Sequence, residues 1–146
     1  MHGLKGDPVV SVLIVSFNSR DVTLACIDSV EKEAANVSLE TIVVDNASGD
    51  GSAEAIASQH PSVQLHALHE NLGFAKGNNY AAARARGEFL LLLNPDTLVH
   101  PEAIAASVEF ARQKPDAAVV GCRTLNADGT IQQNCFLPPS LANVPC

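Results

Sequence analysis

Residues 9–19 read VVSVLIVSFNS. From Val9 to Val15 nearly every position is apolar and most are β-branched, so the run has no polar face to turn to water. A strand with that pattern is covered on both sides, as in the centre of a parallel sheet. It stops at Ser16-Phe17-Asn18, and Ser19 stands where a helix cap belongs. From Arg20 to about Glu33, the residues Val22, Cys26 and Val30 recur at four-residue steps and mark one face of a helix. Strand, polar tip and returning helix make one unit of an α/β fold.

The unit repeats outward. ETIVVD (40–45) is a second strand, NASGDGS (46–52) a polar turn, and Ala53 to Gln59 a short helix. VQLHAL (63–68) is a third strand. HENLGFAKGNN (69–79) opens a helix, NYAAARAR, which Gly87 terminates. FLLLL (89–93) reads as another central strand, covered by helices on both faces. A helix follows from Pro101 to about Gln113, with the proline at its first position and Ile104, Val108 and Ala111 facing inward. AAVVGC (117–122) is a fifth strand, and RTLNADGTIQQ (123–133) a hairpin around Asp128-Gly129.

Strands spaced by crossover helices imply a doubly wound, mostly parallel α/β sheet with helices on both faces. One domain is expected over 1–146, with its core at about 9–121 and a hairpin and proline-rich tail at 122–146. The closing NVPC does not resemble a domain terminus. The chain is therefore expected to be the front portion of a longer protein, truncated on the C-terminal side.

Composition narrows the function classes. Hydrophobic residues make up 47% of the chain and charged residues 17%, which is a globular rather than a disordered composition. With a net charge of −7 the domain has no general attraction for nucleic acid or anionic lipid. The four cysteines, at 26, 122, 135 and 146, form no CxxC pair, so a reducing compartment is expected and Cys26 is a core residue. No apolar signal core opens the chain, and Phe89 to Leu93 is too short to cross a bilayer. A cytoplasmic location is expected, at the membrane's cytoplasmic face if parts outside this chain hold it there.

In an open parallel sheet, ligands bind beyond the carboxyl ends of the strands. Those ends carry Ser16-Phe17-Asn18, then Asp45-Asn46, then Lys76 and Asn78 within NLGFAKGNN, then Asn94-Pro95-Asp96. Asp45 can accept from a base or ribose, or close an Asx-turn or cap a helix. Asn46, both donor and acceptor, suits a pyrimidine edge equally well. Lys76 can meet a phosphate at a helix start or stay solvated. If Asn94 to Asp96 is extended, its amide and carboxylate leave the same side and suit Mg²⁺ or Mn²⁺, with diphosphate and water completing the shell. The other reading of N-P-D is a strand-end turn. His66 and His69 have the HxxH spacing, but on a strand they face opposite ways with no third ligand near, so no zinc is expected. No GxGxxG follows the first strand, so no NAD is expected either.

Four segments resemble the nucleotide-sugar-binding half of an inverting family 2 glycosyltransferase with a GT-A fold. They are SVLIVSFNS, ETIVVDNASGDGS, NLGFAKGNNYAAARARGEFLLLLNPDT and NADGTIQ, in that order. Their flavour is most similar to rhamnosyltransferase-like enzymes of cell-envelope polysaccharide synthesis. The resemblance implies that Val15, Ser16, Phe17 and Asn18 line a nucleotide pocket and that Asp45 and Asn46 contact base and ribose. It puts Asn94-Pro95-Asp96 in the place of the DxD metal motif, with Asp96 as the metal carboxylate. The chain departs from the family pattern at Asn46, where many members have a second Asp, and at Asn94, which replaces the first Asp of DxD. The donor would be a UDP- or dTDP-sugar, and the acceptor a glycan or lipid-linked glycan. The catalytic base is expected downstream of Cys146, which leaves this chain alone inactive for transfer. The alternative is a non-catalytic nucleotide-binding or assembly module. A sheet edge exposed where the missing part would cover it favours pairing between chains, a homodimer. A phospho-receiver would want an acidic pair after the first strand, where Ser16-Phe17-Asn18 has none.

Overall fold

The structure, a computed structural model, describes residues 6–132. The proline-rich tail, with Cys135 and Cys146, lies outside the described residues. Two compact units divide the chain, Met1–Phe110 and Ala111–Cys146.

In the first unit, β1 (Val10–Ser16) and β2 (Leu39–Asp45) are the strands the sequence indicates, buried at every residue but Leu39. Four parallel strands, with β3 (Gln64–Ala67) and β4 (Phe89–Leu93), lie in the order β3-β2-β1-β4. Helices α1 (Arg20–Glu33), α2 (Ser52–Gln59) and α4 (Ala103–Arg112) supply one core, where Cys26, Ile27, Val30, Ile56, Ile104 and Val108 pack on Val10, Val12, Ile14 and Val43. Helix α3 (Gly73–Ala82) covers the other face, with Ala81 against Leu13, Val15, Ile42 and Val44. The sheet is thus parallel with helices on both faces.

Several expectations change. The leucine strand β4 is an edge of the described sheet, not its centre. Phe89, Leu91 and Leu93 pack into the first core, whereas Leu90 and Leu92 are 49% and 55% exposed. Helix α3 lies over β1 and β2 and leaves that face of β4 uncovered among the described residues. The buried face of α1 begins at Thr23, and Val22 is exposed.

Helix α3 starts six residues earlier than expected, at Gly73, and ends at Ala82. Gly73 enters it with φ +76, and Gly77 lies mid-helix because a Cβ there would meet Val15. Gly87 does not cap it. That glycine is pressed on β1 instead, where a Cβ would come 2.5 Å from the Ser11 nitrogen. Helix α4 begins at Ala103 rather than Pro101, because Glu102 has φ +65, which no helix accommodates.

At the amino edge of the sheet the buried Glu40 carboxylate gathers the Ser11 hydroxyl (2.7 Å), the Gln64 amide (2.8 Å) and the Arg86 guanidinium (2.8 Å). It also accepts the Arg86 backbone N–H (2.7 Å). The link from α3 to β4 is fixed there.

In the second unit, residues 117–122 form no strand among the described residues, and Val119 is 87% exposed. A strand needs a ladder partner, and none of the described ladders includes this run. The hairpin at Asp128-Gly129 forms as expected. Leu125 and Ile131 make an antiparallel bridge, and Gly129 takes φ +81. No helix among the described residues is long and apolar enough to cross a membrane.

Candidate functional site

The register brings the strand tips together. Ser16 stands beside Asp45 across β1 and β2, and Ile14 beside Leu93 across β1 and β4. Asn94 therefore emerges one strand over from Val15, about 10 Å from the Asp45 column at two strand spacings.

Ser16, Asp45 and Asn46 are all buried, at 0%, 2% and 2% exposure. The Asp45 Oδ2 accepts the Ser48 N–H at 3.0 Å, the Asx-turn role, and the Ser16 hydroxyl reaches its Oδ1 at 3.4 Å. Asn46 accepts the Leu72 N–H (3.3 Å) and donates to the Gly73 carbonyl (3.4 Å), which ties the β2 tip to the entrance of α3. Asn18 and the 46–52 loop clasp each other. The Asn18 N–H donates to Ser48 Oγ at 2.9 Å, and Gly49 N–H donates to Asn18 Oδ1 at 2.8 Å. Asn18 and Ala47 take left-handed backbone angles, φ +48 and +62, to make this fit. The side chains at the rim are Phe17, Asn18 and, in the first turn of α3, Lys76, all exposed. Asn78 is turned inward and donates to the Phe74 carbonyl at 2.9 Å.

At the β4 tip the chain turns instead of staying extended. Asn94 O accepts the Thr97 N–H at 3.2 Å, with Pro95 in the second position that suits its fixed φ. Asn94 and Asp96 are both exposed, and among the described residues no hydrogen bond engages the Asp96 carboxylate. The strand-end turn is thus the reading that holds, and the same-side argument from an extended Asn94–Asp96 does not. What remains for a hard cation is an exposed carboxylate two residues from an exposed amide, with ligand and water to supply the other oxygens.

The tightest group of ligand-type side chains lies elsewhere. Asp28, Glu31 and His60 bring one donor atom each within 4.8 Å of one another, near the last turns of α1 and α2. There the His60 Nδ1 pairs with Glu31 at 3.1 Å, and Ser62 donates to the other Glu31 oxygen at 2.7 Å. These atoms are engaged with each other, away from the strand tips.

On the buried face of α1, Cys26 is the core residue the sequence indicates but also a hydrogen-bond donor, and Ser29 and Glu33 are residues that sequence reasoning passed over. Cys26 donates to Asn94 O (3.6 Å), and Ser29 Oγ accepts the Val99 N–H (3.0 Å). The Glu33 carboxylate accepts the N–H groups of Glu102 (2.8 Å) and Ile104 (3.2 Å). Their only sequence signal is the polar character of Ser29 and Glu33 on a face that must be buried.

The family model for glycosyl transferase family 2 matches residues 11–134. The chain belongs to that family. The O-antigen biosynthesis protein RfbC of Myxococcus xanthus is 30% identical over 134 residues, which is 90% of this chain and 10% of that protein. A mannosyltransferase of Pyrobaculum calidifontis, solved in complex with GDP-Man and Mn²⁺, superposes with a TM-score of 0.62 at 27% identity. The match covers 73% of this family 2 chain and 33% of that one. TarS 1-349 of S. aureus in complex with UDP-GlcNAc gives 0.61 at 24% identity, over 71% of this chain and 31% of that one, which speaks for the fold alone. The family 2 chain thus has a GT-A-type α/β architecture and spans a third or less of these relatives.

Proposed function

We propose that this chain binds the donor for a glycosyltransferase, a nucleoside diphosphate-sugar of UDP or dTDP type, with Mg²⁺ or Mn²⁺. The whole protein would transfer the sugar with inversion to a glycan or lipid-linked acceptor in cell-envelope polysaccharide synthesis. The observation that carries the reading is the Asp96 carboxylate, exposed and without a hydrogen bond to any described residue, at the β4 tip two strands from Asp45. Relatives with polysaccharide-synthesis names, and a solved relative holding GDP-Man and Mn²⁺, support the class of donor.

Each residue has a task in this reading. Ser16, Asp45 and Asn46 build the floor and, by holding Ser48, Leu72 and Gly73, set the walls of the nucleotide pocket. Phe17 and Asn18 form its rim, and Lys76 faces the diphosphate from the first turn of α3. Asn94 and Asp96 would hold the cation, which when bound supplies positive charge against the leaving diphosphate. General-base chemistry on the acceptor hydroxyl is not assigned to any residue of this chain.

The test is thermal shift with UDP, dTDP and GDP, each with and without Mn²⁺, against AMP and NAD. A Mn²⁺-dependent rise with the diphosphates alone is expected, and Asp96→Ala should abolish it. No shift at millimolar nucleotide with Mn²⁺ overturns the donor-site reading.

A further inference from the structure

Cys26, Ser29 and Glu33 are spaced i, i+3 and i+7 along α1, so they form one stripe on its buried face. All three are buried, and each spends its polar atoms on the backbone of one segment, Asn94 to Ile104. That segment joins β4 to α4 without regular structure of its own before Ala103. The stripe holds it at its start through Asn94 O, in its middle through Val99 N–H, and at its end through the N–H groups of Glu102 and Ile104. Ser29 is itself fixed, since its hydroxyl donates to the Cys26 carbonyl at 2.7 Å. Glu33 is held by the Asn36 amide at 3.1 Å. Glu102 adopts its left-handed angle where its N–H meets the Glu33 carboxylate, so the carboxylate replaces the usual cap of α4.

A core helix could have filled these three positions with aliphatic residues, as it does at Ile27 and Val30. Polar groups in a buried stripe cost desolvation unless they are matched, and here each is matched to a backbone group of the same loop. Asp96 lies along the chain between the clamps at Asn94 and Val99.

We propose that the Cys26–Ser29–Glu33 stripe of α1 positions the Asn94–Asp96 turn, so that it sets the geometry and strength of cation binding at Asp96. This rests on the reading of Asp96 as the metal carboxylate. The three are positioning residues and touch neither the donor nor the cation. The clamp at Glu33 is farthest along the chain and acts through the length of the loop, whereas Cys26 acts on the turn itself and Ser29 on Val99, two residues beyond its close.

The test measures Mn²⁺ binding to the full 146-residue chain by electron paramagnetic resonance, alongside UDP binding by calorimetry with and without Mn²⁺. The variants are Cys26→Val, which keeps bulk and loses the donor, Cys26→Ser, which keeps a donor, Ser29→Ala and Asp96→Ala. Cys26→Val and Ser29→Ala are each expected to weaken Mn²⁺ by about tenfold, the scale of one lost hydrogen bond to a held group. Metal-free UDP binding should stay within about twofold, and Cys26→Ser should restore Mn²⁺ affinity. If Asp96→Ala abolishes Mn²⁺ binding while Cys26→Val and Ser29→Ala leave it unchanged, the stripe inference fails and the donor site stands. If Asp96→Ala changes nothing, the metal reading fails and the inference falls with it. Should Cys26→Val not fold, Ser29→Ala decides alone, because it removes one oxygen and leaves the packing of the helix in place.

Discussion

A Cβ at Gly77 would lie 2.8 Å from Val15 Cγ1 and 3.2 Å from its Cγ2. The α3 backbone rests directly on the penultimate residue of β1, and the same Cβ would stand 3.5 Å from the Asn46 amide nitrogen. Two effects oppose each other in Gly77→Ala. Helix propensity favours alanine by about 1 kcal/mol. Val15 is short, β-branched and locked in the sheet, so it cannot swing aside, and overpacking costs about 1–3 kcal/mol. The steric term is expected to win, and Tm should fall by a few degrees. The Asn46 clamp on Leu72 and Gly73 should loosen with it, so nucleotide affinity should drop more than that of a surface Ala control. A rise in Tm with unchanged affinity would refute the contact.

Cys26 is buried and Cys122 exposed, so the two thiols are expected to differ in reactivity. Burial pushes the Cys26 thiol up to about 11, with the Thr97 backbone opposing and the Asp96 charge adding to the rise. The thiol stays protonated at neutral pH, and the thiolate is the nucleophile. Peptide mapping after iodoacetamide at pH 8 should find Cys122, which is exposed, modified first, and Cys26 modified only in denaturant. Because the folded value lies above the unfolded one of about 8.5, the contribution of the buried thiol is complete below that pH. It is lost as pH rises towards 11.

The strands β1 and β2 were legible because burial on both faces removes any alternation, which leaves a mark on every residue from Val10 to Ser16. Helix α1 was legible in its bounds, Arg20 to Glu33, although its buried face begins at Thr23 rather than Val22 and Ser19 does not cap it. The four leucines of β4 misled for the opposite reason. Local composition reports how apolar a strand is, while its place in the sheet depends on which crossovers come before and after it. The glycines of NLGFAKGNN read locally as a loop, and only the approach of Gly77 to Val15 explains why one sits mid-helix. The convergence of Ser16, Asp45, Asn46 and Asn94 follows from the rule that parallel strands present their carboxyl ends together. The Asp45 Asx-turn is local and was among the readings of the sequence, whereas the Asn46 hold on Leu72 and the Glu33 cap on a helix some seventy residues away are long-range pairings with no local signature.

Glu40 makes the stability of the amino edge depend on acid. Burial would push its carboxyl up, but hydrogen bonds from Ser11, from the Arg86 backbone and side chain and from Gln64 outweigh that and hold it below the usual carboxylate range. The folded value is thus lower than the unfolded one, so the stabilisation is full above about pH 4.3 and disappears as pH falls through the folded value. Glu40→Gln removes the charge while keeping the shape, and should cost about 2 kcal/mol at pH 7, or roughly 6 °C in Tm. Thermal melts of both proteins should converge below pH 4. A gap that persists to pH 2 would show that packing, not charge, holds Arg86 and Ser11.

Asp50 serves two helices with one carboxylate. Its Oδ2 accepts the Arg20 N–H at the start of α1 (3.0 Å), and its Oδ1 accepts the Ser52 N–H at the start of α2 (3.0 Å). Ser19, the residue in the expected cap position, makes no side-chain cap and instead bonds Thr23. The hydroxyl of Ser52 and the Arg20 backbone hold the Asp50 carboxyl below the usual range. Its contribution is therefore present at neutral pH and lost as pH falls through the lowered folded value. Asp50→Asn should keep an acceptor for one helix, and Asp50→Ala for neither, so Tm is expected to fall in the order wild type, Asn, Ala. Hydrogen exchange should locate the loss in the first turns of α1 and α2 together, because a single side chain spans both. Protection lost at only one of the two helices would show that the other has a cap of its own.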